Sequence, residues 1–568
     1  MAGYPPELIK KFAIRHADNV KAVEGFAFST LAIAGIFILL HLSRIAYHAL
    51  GRQQKGSRAL AVLSSPMRVA RKLSNHSFPF FPSTGHAVII AIYVALNIVF
   101  LFAFMNNSNF GFETNIASRT GWLSMTNMLF SVFLALKNTP LAWLTAWSYE
   151  RLNILHRYSG FFAVFHMIVH AASYSAYFAG NGQPFMLTMQ TSIYGILAGA
   201  SFFLLGVSGI VLRPWWYELF YYVHVVFFAL AIVMIGLHQP SIVDGFLVIT
   251  ILTGVIWGLD RLLRVARLVF NSANNKVTLT PLPHGGTRVT LAKSPLGALS
   301  GKHCFLWIPA IRTFETHPFT ITAMDPLEFV VTAHDGFTKE LHDRAIAQPG
   351  VEIHASVEGS YGTFPTPSNF DNVVLIAGGT GASFTFGAAF NALKKLGQKS
   401  TSKIMFVWTV RHRSILSWYS SHLHTLSNDS RVSVHIFVTK GRDLTSSSGN
   451  SMTGSEDWEL DVFRTTSRTN IAPANMSSAS SITSDVEKGM TTVNESEMDS
   501  YAGIPITWKR PDVPAMIRGV VAEAGRDQSV LVMGCGPSAL MTQVRNTTTA
   551  CIRSDGPAVE LHCEQFGW

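Results

Sequence analysis

The chain has 568 residues, of which 48% are hydrophobic and only 14% charged, and its 44 Lys and Arg against 34 Asp and Glu leave a net charge of +10. Soluble domains carry roughly 25% charged residues, and the mean hydropathy here is positive at +0.28. This balance excludes a disordered chain, a disulfide-stapled secreted domain and an ordinary soluble enzyme. The shortage of charge is lopsided, since residues 1–265 hold only Glu7, Asp18, Glu24, Glu113, Glu150, Glu218, Asp244 and Asp260 as acids. That half reads as membrane.

In chain order, apolar runs near the ~20 residues needed to cross ~30 Å of hydrocarbon fall at about 25–47, 86–105, 121–138, 156–178, 192–212, 215–237 and 243–262. The third is the weakest, because Ser124, Thr126 and Asn127 interrupt it. The first lacks a small-residue cleavage site behind a short apolar core and reads as an anchor. Arg52, Lys55, Arg58, Arg68, Arg71 and Lys72 fill the first connection, Lys137 and Arg151 the third, and Arg213 the fifth. Arg261, Arg264 and Arg267 follow the last span, whereas the even connections hold only Arg119. The positive-inside bias therefore puts the N-terminus outside and everything after residue 265 in the cytosol. Lys10, Lys11, Arg15 and Lys21 argue mildly the other way. The basic first loop also suits anionic lipid.

Ionisable groups inside a membrane span are costly and are functional suspects. The fourth span contains His156 and His170, the sixth His224 and His238, and both spacings are 14 residues. At 100° per residue each pair shares a helix face, and at 1.5 Å per residue its members stand ~21 Å apart. Both helices run from inside to outside, so His156 faces His224 near the cytosol and His170 faces His238 near the outer surface. Two stacked bis-histidine sites suit two six-coordinate b-type haems. A single membrane histidine is as well explained by a hydrogen bond to a neighbour, but the repeated spacing favours ligation. His166, one turn before His170, competes with it, and its counterpart ten residues after His224 is Met234, which leaves a His/Met site open. Arg151 and Arg157 are placed to pair with haem propionates or simply to serve topology. Gly160 suits either the approach of a macrocycle or helix packing.

From about residue 276 the pattern turns to short alternating strands separated by Gly and Pro, which read as a small antiparallel barrel. Within it stand His317-Pro318-Phe319-Thr320, Asp335-Gly336-Phe337-Thr338 and Glu358-Gly359-Ser360-Tyr361-Gly362. After residue 371 the reading becomes α/β. The strand at 373–377 runs into Gly378-Gly379-Thr380-Gly381 and a helix, a turn whose exposed N–H groups suit a pyrophosphate. The last glycine of a strict GxGxxG is replaced by Phe384. The next strand ends at Arg411-His412-Arg413, cations that suit a 2′-phosphate or a solvated strand end equally. A late strand at 530–533 leads into Gly534-Cys535-Gly536-Pro537 and another helix. Residues 441–500, rich in Ser, Thr and Asn, read as a disordered insertion. Cys304, Cys535, Cys551 and Cys563 have no zinc-like spacing, and disulfides are not expected in a cytosolic half.

Taken together, the two histidine pairs, the HPFT, GGTG and CGP elements and the C-terminal aromatic resemble the ferric reductase/NADPH oxidase superfamily, closest to the fungal plasma-membrane ferric (metallo)reductases, over residues 86–568. The resemblance implies a helical membrane bundle of about seven spans followed by a ferredoxin-reductase-like module, an antiparallel β-barrel for FAD and an α/β domain for NADPH. The domains it implies are 1–85 (first span and basic loop), 86–265 (haem-binding bundle), 266–370 (FAD) and 371–568 (NADPH). By resemblance His317, Pro318, Phe319, Thr320, Gly336 and Thr338 hold FAD. Gly378, Gly379, Thr380, Gly381, Arg411, Cys535, Gly536 and Pro537 hold NADPH, with Cys535 at the nicotinamide and Trp568 stacked on the flavin as the catalytic pair. Ser360 stands where the family has Pro. Lys509-Arg510-Pro511-Asp512 departs from a Gly-Arg-Pro-Asp ribose contact. The implied function is electron transfer from cytosolic NADPH through FAD and two haems to an outside acceptor, Fe(III), its siderophore or Cu(II). O₂, reduced to superoxide, is the alternative, and a haem-bearing sensor or transporter subunit a more distant one. The equal spacings and short, cysteine-free outer connections favour the metal. Membrane lipid is the only other partner expected, and the net charge requires no nucleic acid.

Overall fold

The computed structural model describes residues 5–53, 68–69, 71–76, 78, 81, 83–239, 241, 245–397, 401–440 and 500–564. Trp568, Lys55, Arg58, Asp244 and the expected insertion up to residue 499 lie outside the described residues. Seven long helices lead the chain: α1 (Pro6–Gln53), α2 (Thr84–Phe102), α3 (Phe112–Ala135), α4 (Tyr149–Gly180), α5 (Gln190–Val207), α6 (Tyr217–His238) and α7 (Phe246–Ser272). All but α3 are long and apolar enough to cross a membrane. Helix α5 continues through a π-turn at Ser208–Leu212.

Helix α3 coincides with the weakest apolar run, and its environment explains the polar residues. Ser124 donates to the Ala163 carbonyl at 2.7 Å, and Asn127 donates to Asn97 Oδ1 at 2.8 Å and accepts from Tyr93 at 2.5 Å. Ser124, Asn127, Asn97 and Tyr93 are all buried among neighbouring helices, so Ser124 and Asn127, which weaken its hydropathy, bond inside the bundle, as polar groups at membrane depth must. Helix α1, at 48 residues, extends about 72 Å at 1.5 Å per residue, well beyond the hydrocarbon thickness. Its N-terminal part supplies Asn19, which accepts from the buried Arg119 at 2.8 Å. Farther along, its Arg44 reaches the soluble half. Helix α7 runs seven residues past the boundary expected at 265, carrying Arg267 and ending at Ser272.

The first soluble domain contains β1 (Lys276–Leu282), β2 (Gly286–Leu291), β3 (His303–Trp307), β4 (His317–Thr320), β5 (Leu327–Thr332), β6 (Glu352–His354) and β7 (Ser356–Tyr361). The expected barrel takes the form of two hydrogen-bonded sheets, β5-β2-β1-β6 and β4-β3-β7. They share one core that includes Val277, Leu306, Phe329 and Val357. The second soluble domain contains β8 (Asn372–Gly378), β9 (Lys403–Val410), β10 (Val432–Val438), β11 (Ser500–Tyr501), β12 (Ile504–Thr507), β13 (Ser529–Cys535) and β14 (Ala558–Glu564). They form one sheet in the order β11-β12-β10-β9-β8-β13-β14, parallel from β12 to β14. Ligands bind such sheets beyond the carboxyl ends of the strands, where β8 and β13 deliver their glycine turns side by side.

Candidate functional site

The histidines of α4 and α6 meet in two pairs. The rings of His156 and His224 lie 6.3 Å apart between centroids, and those of His170 and His238 lie 6.4 Å apart, with interplanar angles of 71° and 83°. Two metal–imidazole bonds of about 2 Å each, added to the half-widths of two rings, account for such a gap. The hydrogen bonds fix the tautomers. Nδ1 of His156 is 2.8 Å from the Ser131 carbonyl, that of His170 is 2.7 Å from the Ala117 carbonyl, and that of His238 is 2.7 Å from the Thr191 carbonyl. A carbonyl only accepts, so these nitrogens carry a proton, which leaves Nε2 as the atom of each ring that could ligate a metal. Nδ1 of His224 lies 3.2 Å from Ser208 Oγ, which itself donates to the Leu205 carbonyl at 2.8 Å and so also accepts here. Four imidazoles, each anchored through Nδ1, form a donor set of the kind that paired axial ligation of a haem requires. A Cβ on Gly121 would sit 2.8 Å from His170 Nδ1, and one on Gly195 would sit 2.7 Å from His238, so both outer rings lie directly on glycine backbone.

His166 takes the role of a packing residue. It is buried, its Nε2 is 3.2 Å from Asn97 Oδ1, and it packs on Phe162 and Phe165. Gly160 faces Ser131, with 3.4 Å available to a Cβ, and so serves the close packing of α3 on α4. Arg151 is engaged away from the bundle. It donates to His562 Nδ1 at 3.2 Å and to the Cys563 carbonyl at 3.5 Å.

The N-terminal ends of α4 and α6 meet the two-sheet domain. His303 Nε2 lies 3.0 Å from the Tyr149 hydroxyl and 2.9 Å from a Glu150 carboxylate oxygen, and a Cβ on Gly336 would stand 3.8 Å from Glu218 Oε1 at the start of α6. From α7, Arg264 pairs with the buried Glu358 at 3.1 Å, and Lys137 Nζ sits 3.1 Å over the Phe305 ring. His317 to Thr320 form β4, an edge strand whose four residues are all half-buried. The His317 ring stacks on Phe337 at 4.3 Å, and burial lowers its pKa against the opposing pull of Glu315. Gly336 has φ +65°, and Thr338 accepts from the His334 N–H at 2.8 Å. The edge strand β4 and the left-handed turn at Gly336 thus both lie near Glu218 at the start of α6.

In the α/β domain the two glycine turns touch. A Cβ on Gly381 would fall 2.2 Å from the Cys535 carbonyl oxygen, and one on Gly378 would fall 2.7 Å from Pro537. Gly379 has φ +57° with nothing within 4 Å of where its Cβ would be, so its open side faces free space. Thr380 lies within this turn and Gly536 directly against it. Burial, together with Glu564 and Cys563, pushes the Cys535 thiol up, so it is a neutral thiol at pH 7. Arg411 is exposed at the end of β9, where its carbonyl accepts from Lys440 N–H. Asp512 caps the helix Val513–Glu523 by accepting from Ala515 N–H at 2.9 Å, a structural use for a residue considered above as a ribose contact.

Sequence reasoning missed the seam along β14. Glu560, His562 and Glu564 alternate along the strand and are all buried, so one face of a buried strand is ionisable. That alternation was the available signal. Arg44 and Arg71 reach Glu560 at 3.8 and 3.1 Å. Arg68 donates to the Gly556 carbonyl at 2.9 Å. Ser131 and Ser208 were missed as well, since neither stands near its histidine in sequence.

Comparisons with known proteins agree with this organisation. Residues 120–235 match the family described as ferric reductase like transmembrane component, residues 271–364 an FAD-binding domain, and residues 370–549 a ferric reductase NAD binding domain. The chain is 27% identical over 378 residues to ferric/cupric reductase transmembrane component 2 of Schizosaccharomyces pombe, covering 57% of this chain and 66% of that one. It is 25% identical over 463 residues to a probable ferric reductase transmembrane component of Candida albicans, covering 80% and 65%. It is 25% identical over 437 residues to a probable cell surface ferric reductase of Aspergillus oryzae, covering 68% and 58%. The chain thus spans less than two thirds of the length of these relatives.

Proposed function

Because the chain belongs to the ferric reductase family, we propose that it carries electrons across a membrane, from cytosolic NADPH through FAD and two b-type haems to ferric iron outside, free or siderophore-bound, with cupric ion as a further acceptor. The observation that carries this reading is the pair of facing, Nδ1-anchored imidazoles repeated at two levels of the same two helices. His156 and His224 would hold the inner haem, and His170 and His238 the outer one. His317, Pro318, Phe319, Thr320, Gly336 and Thr338 would hold FAD. Gly378, Gly379, Thr380, Gly381, Arg411, Cys535, Gly536 and Pro537 would hold NADPH, and Trp568 would cover the flavin. When bound, these groups supply the redox chemistry: a hydride donor, an exchange of two electrons for one, and one-electron relays.

The part left to the chain is positioning. Carbonyl acceptors behind His156, His170 and His238 orient the rings and raise their basicity as ligands. The neutral Cys535 thiol presents a small, uncharged wall beside the turn that would take the nicotinamide. The inner-loop arginines support an orientation with the N-terminus outside and both soluble domains in the cytosol. Similarity to a cell surface reductase supports the plasma membrane. Lipid surrounds the bundle, and no nucleic-acid partner is needed.

Membranes holding the protein should show a low-spin bis-histidine haem spectrum reducible by NADPH. His170→Ala should abolish Fe(III) reduction outside while electron transfer from NADPH to a cytosolic dye persists. Full external reduction by that variant would sink the haem assignment. Strong inhibition of iron reduction by superoxide dismutase would make O₂ the acceptor instead.

A further inference from the structure

We propose that α1 and the segment before α2 form a latch that seats the nucleotide domain, with Glu560 as its central carboxylate and Arg71, Arg68, Arg44 and Arg151 as positioning residues for hydride delivery. The family matches cover residues 120–235, 271–364 and 370–549. Apart from Arg151, both sides of the latch lie outside them. From the membrane half, Arg71 pairs with Glu560 at 3.1 Å and donates to the Val559 carbonyl at 3.3 Å. Arg44, on the inner end of α1, lies 3.8 Å from Glu560. Arg68 donates to the carbonyls of Gly556, Arg553 and Ser554 at 2.9, 3.3 and 3.3 Å. The Glu560 side chain is only 6% exposed, so these charges act with little screening by solvent.

The latch connects to the nucleotide turns through His562. Its Nδ1 accepts from Arg151, its Nε2 donates to Glu564 at 2.7 Å, and its ring stacks on Phe384 at 5.9 Å and 25°. Phe384 belongs to the helix that Gly378 to Gly381 open, and Glu564 stands beside Cys535 in the β13–β14 register. Both glycine turns are therefore tied to β14, and β14 is tied to the membrane half. The flavin domain is held elsewhere, by Glu358 with Arg264 and by His303 with Tyr149 and Glu150. Opening the latch should displace the nucleotide domain from the flavin and leave the flavin on the bundle. The step affected is hydride transfer into the flavin, and electron exit from it is spared.

The readout rests on the redox reading proposed above, but it stops at the flavin, so it does not depend on which acceptor waits outside. Full-length protein in lipid nanodiscs, loaded with haem and FAD, is mixed with NADPH in a stopped-flow spectrometer. Arg71→Glu and Glu560→Arg should each slow flavin reduction at least five-fold at saturating NADPH. The reversed pair, Arg71→Glu with Glu560→Arg, should return it to within two-fold of the parent. Haem reduction after photoreduction of the flavin should be unchanged in all three. Unchanged flavin reduction in the single variants, or no recovery in the reversed pair, would overturn the latch. Independently of cofactors and of folding losses in the charge variants, Arg71→Cys with Glu560→Cys should be joined by a short bifunctional maleimide whose span matches the two replaced side chains, identified by mass mapping of the joined peptides. Absence of that link would overturn the contact itself.

Discussion

The two soluble domains are fastened to the membrane half by seams of different chemistry. The flavin-domain seam is built mainly from side-chain pairs, Glu358 with Arg264, His303 with Tyr149 and Glu150, and Lys137 over the Phe305 ring, to which Asn271, Ser356 and Thr363 add bonds to backbone carbonyls. The nucleotide-domain seam has arginines on one side and, on the other, backbone carbonyls together with the buried face of β14. Adjacent residues serve the two, since Glu150 reaches His303 and Arg151 reaches His562 from the first turn of α4. Side-chain pairs of fixed geometry suit an interface that holds one distance, as an electron path requires. Arginines gripping carbonyls depend less on the identity of the strand they hold and suit a domain that must admit and release a dinucleotide.

The comparison breaks most severely at Arg264. Glu358 is 2% exposed, and Arg267 at 3.9 Å and 44% exposed offers only partial replacement. Removing one member of a buried pair costs about 3–5 kcal/mol. Arg264→Leu should therefore lower the temperature at which flavin is released more than any single change at the other seam, and should slow haem reduction by photoreduced flavin. A variant with normal flavin retention would show that this seam does not bear the domain. Arg71→Leu should do less. Its guanidinium is 23% exposed, and loss of a hydrogen bond to a charged group costs about 1.5–3 kcal/mol. Its effect should appear in protection of the β14 amides from hydrogen exchange, with β3 and β7 unaltered.

Much of the candidate site was legible because its signals are periodic. A spacing of fourteen between histidines on each of two helices specifies two levels, and glycine turns after apolar strands mark the place where β8 and β13 bring two such turns together. The seams were not legible, for two physical reasons. Arg68 and Arg71 meet Gly556 and Glu560 across nearly the whole chain, and in sequence the same arginines are fully explained as markers of the inner face. Backbone carbonyls such as those of Ala117 and Thr191, which set the histidine tautomers, have no side-chain signature. The polar residues of α3 misled in the opposite direction. Ser124 and Asn127 lower its apolarity, yet their bonds to Ala163, Asn97 and Tyr93 lie inside the bundle.

The smallest effect distinguishing the seams is one of pH. Burial, with Arg151 and Arg44 nearby, holds His562 below its ordinary value, against the smaller opposing pull of Glu564. In the seated state His562 is neutral, accepting from Arg151 and donating to Glu564. Once β14 is released, its pKa returns toward about 6.5. Between the lowered and ordinary values the released state binds more protons, so seating strengthens as pH rises through that window and is complete above about 6.5. Acidification should therefore loosen the nucleotide seam. Flavin reduction by NADPH should slow as pH falls from 7.5 to 5.5, with flavin-to-haem transfer nearly flat. His562→Gln, which keeps one donor and one acceptor but cannot titrate, should remove the part of that slope due to the seam. An unchanged slope in this variant would place the pH sensitivity elsewhere than at β14.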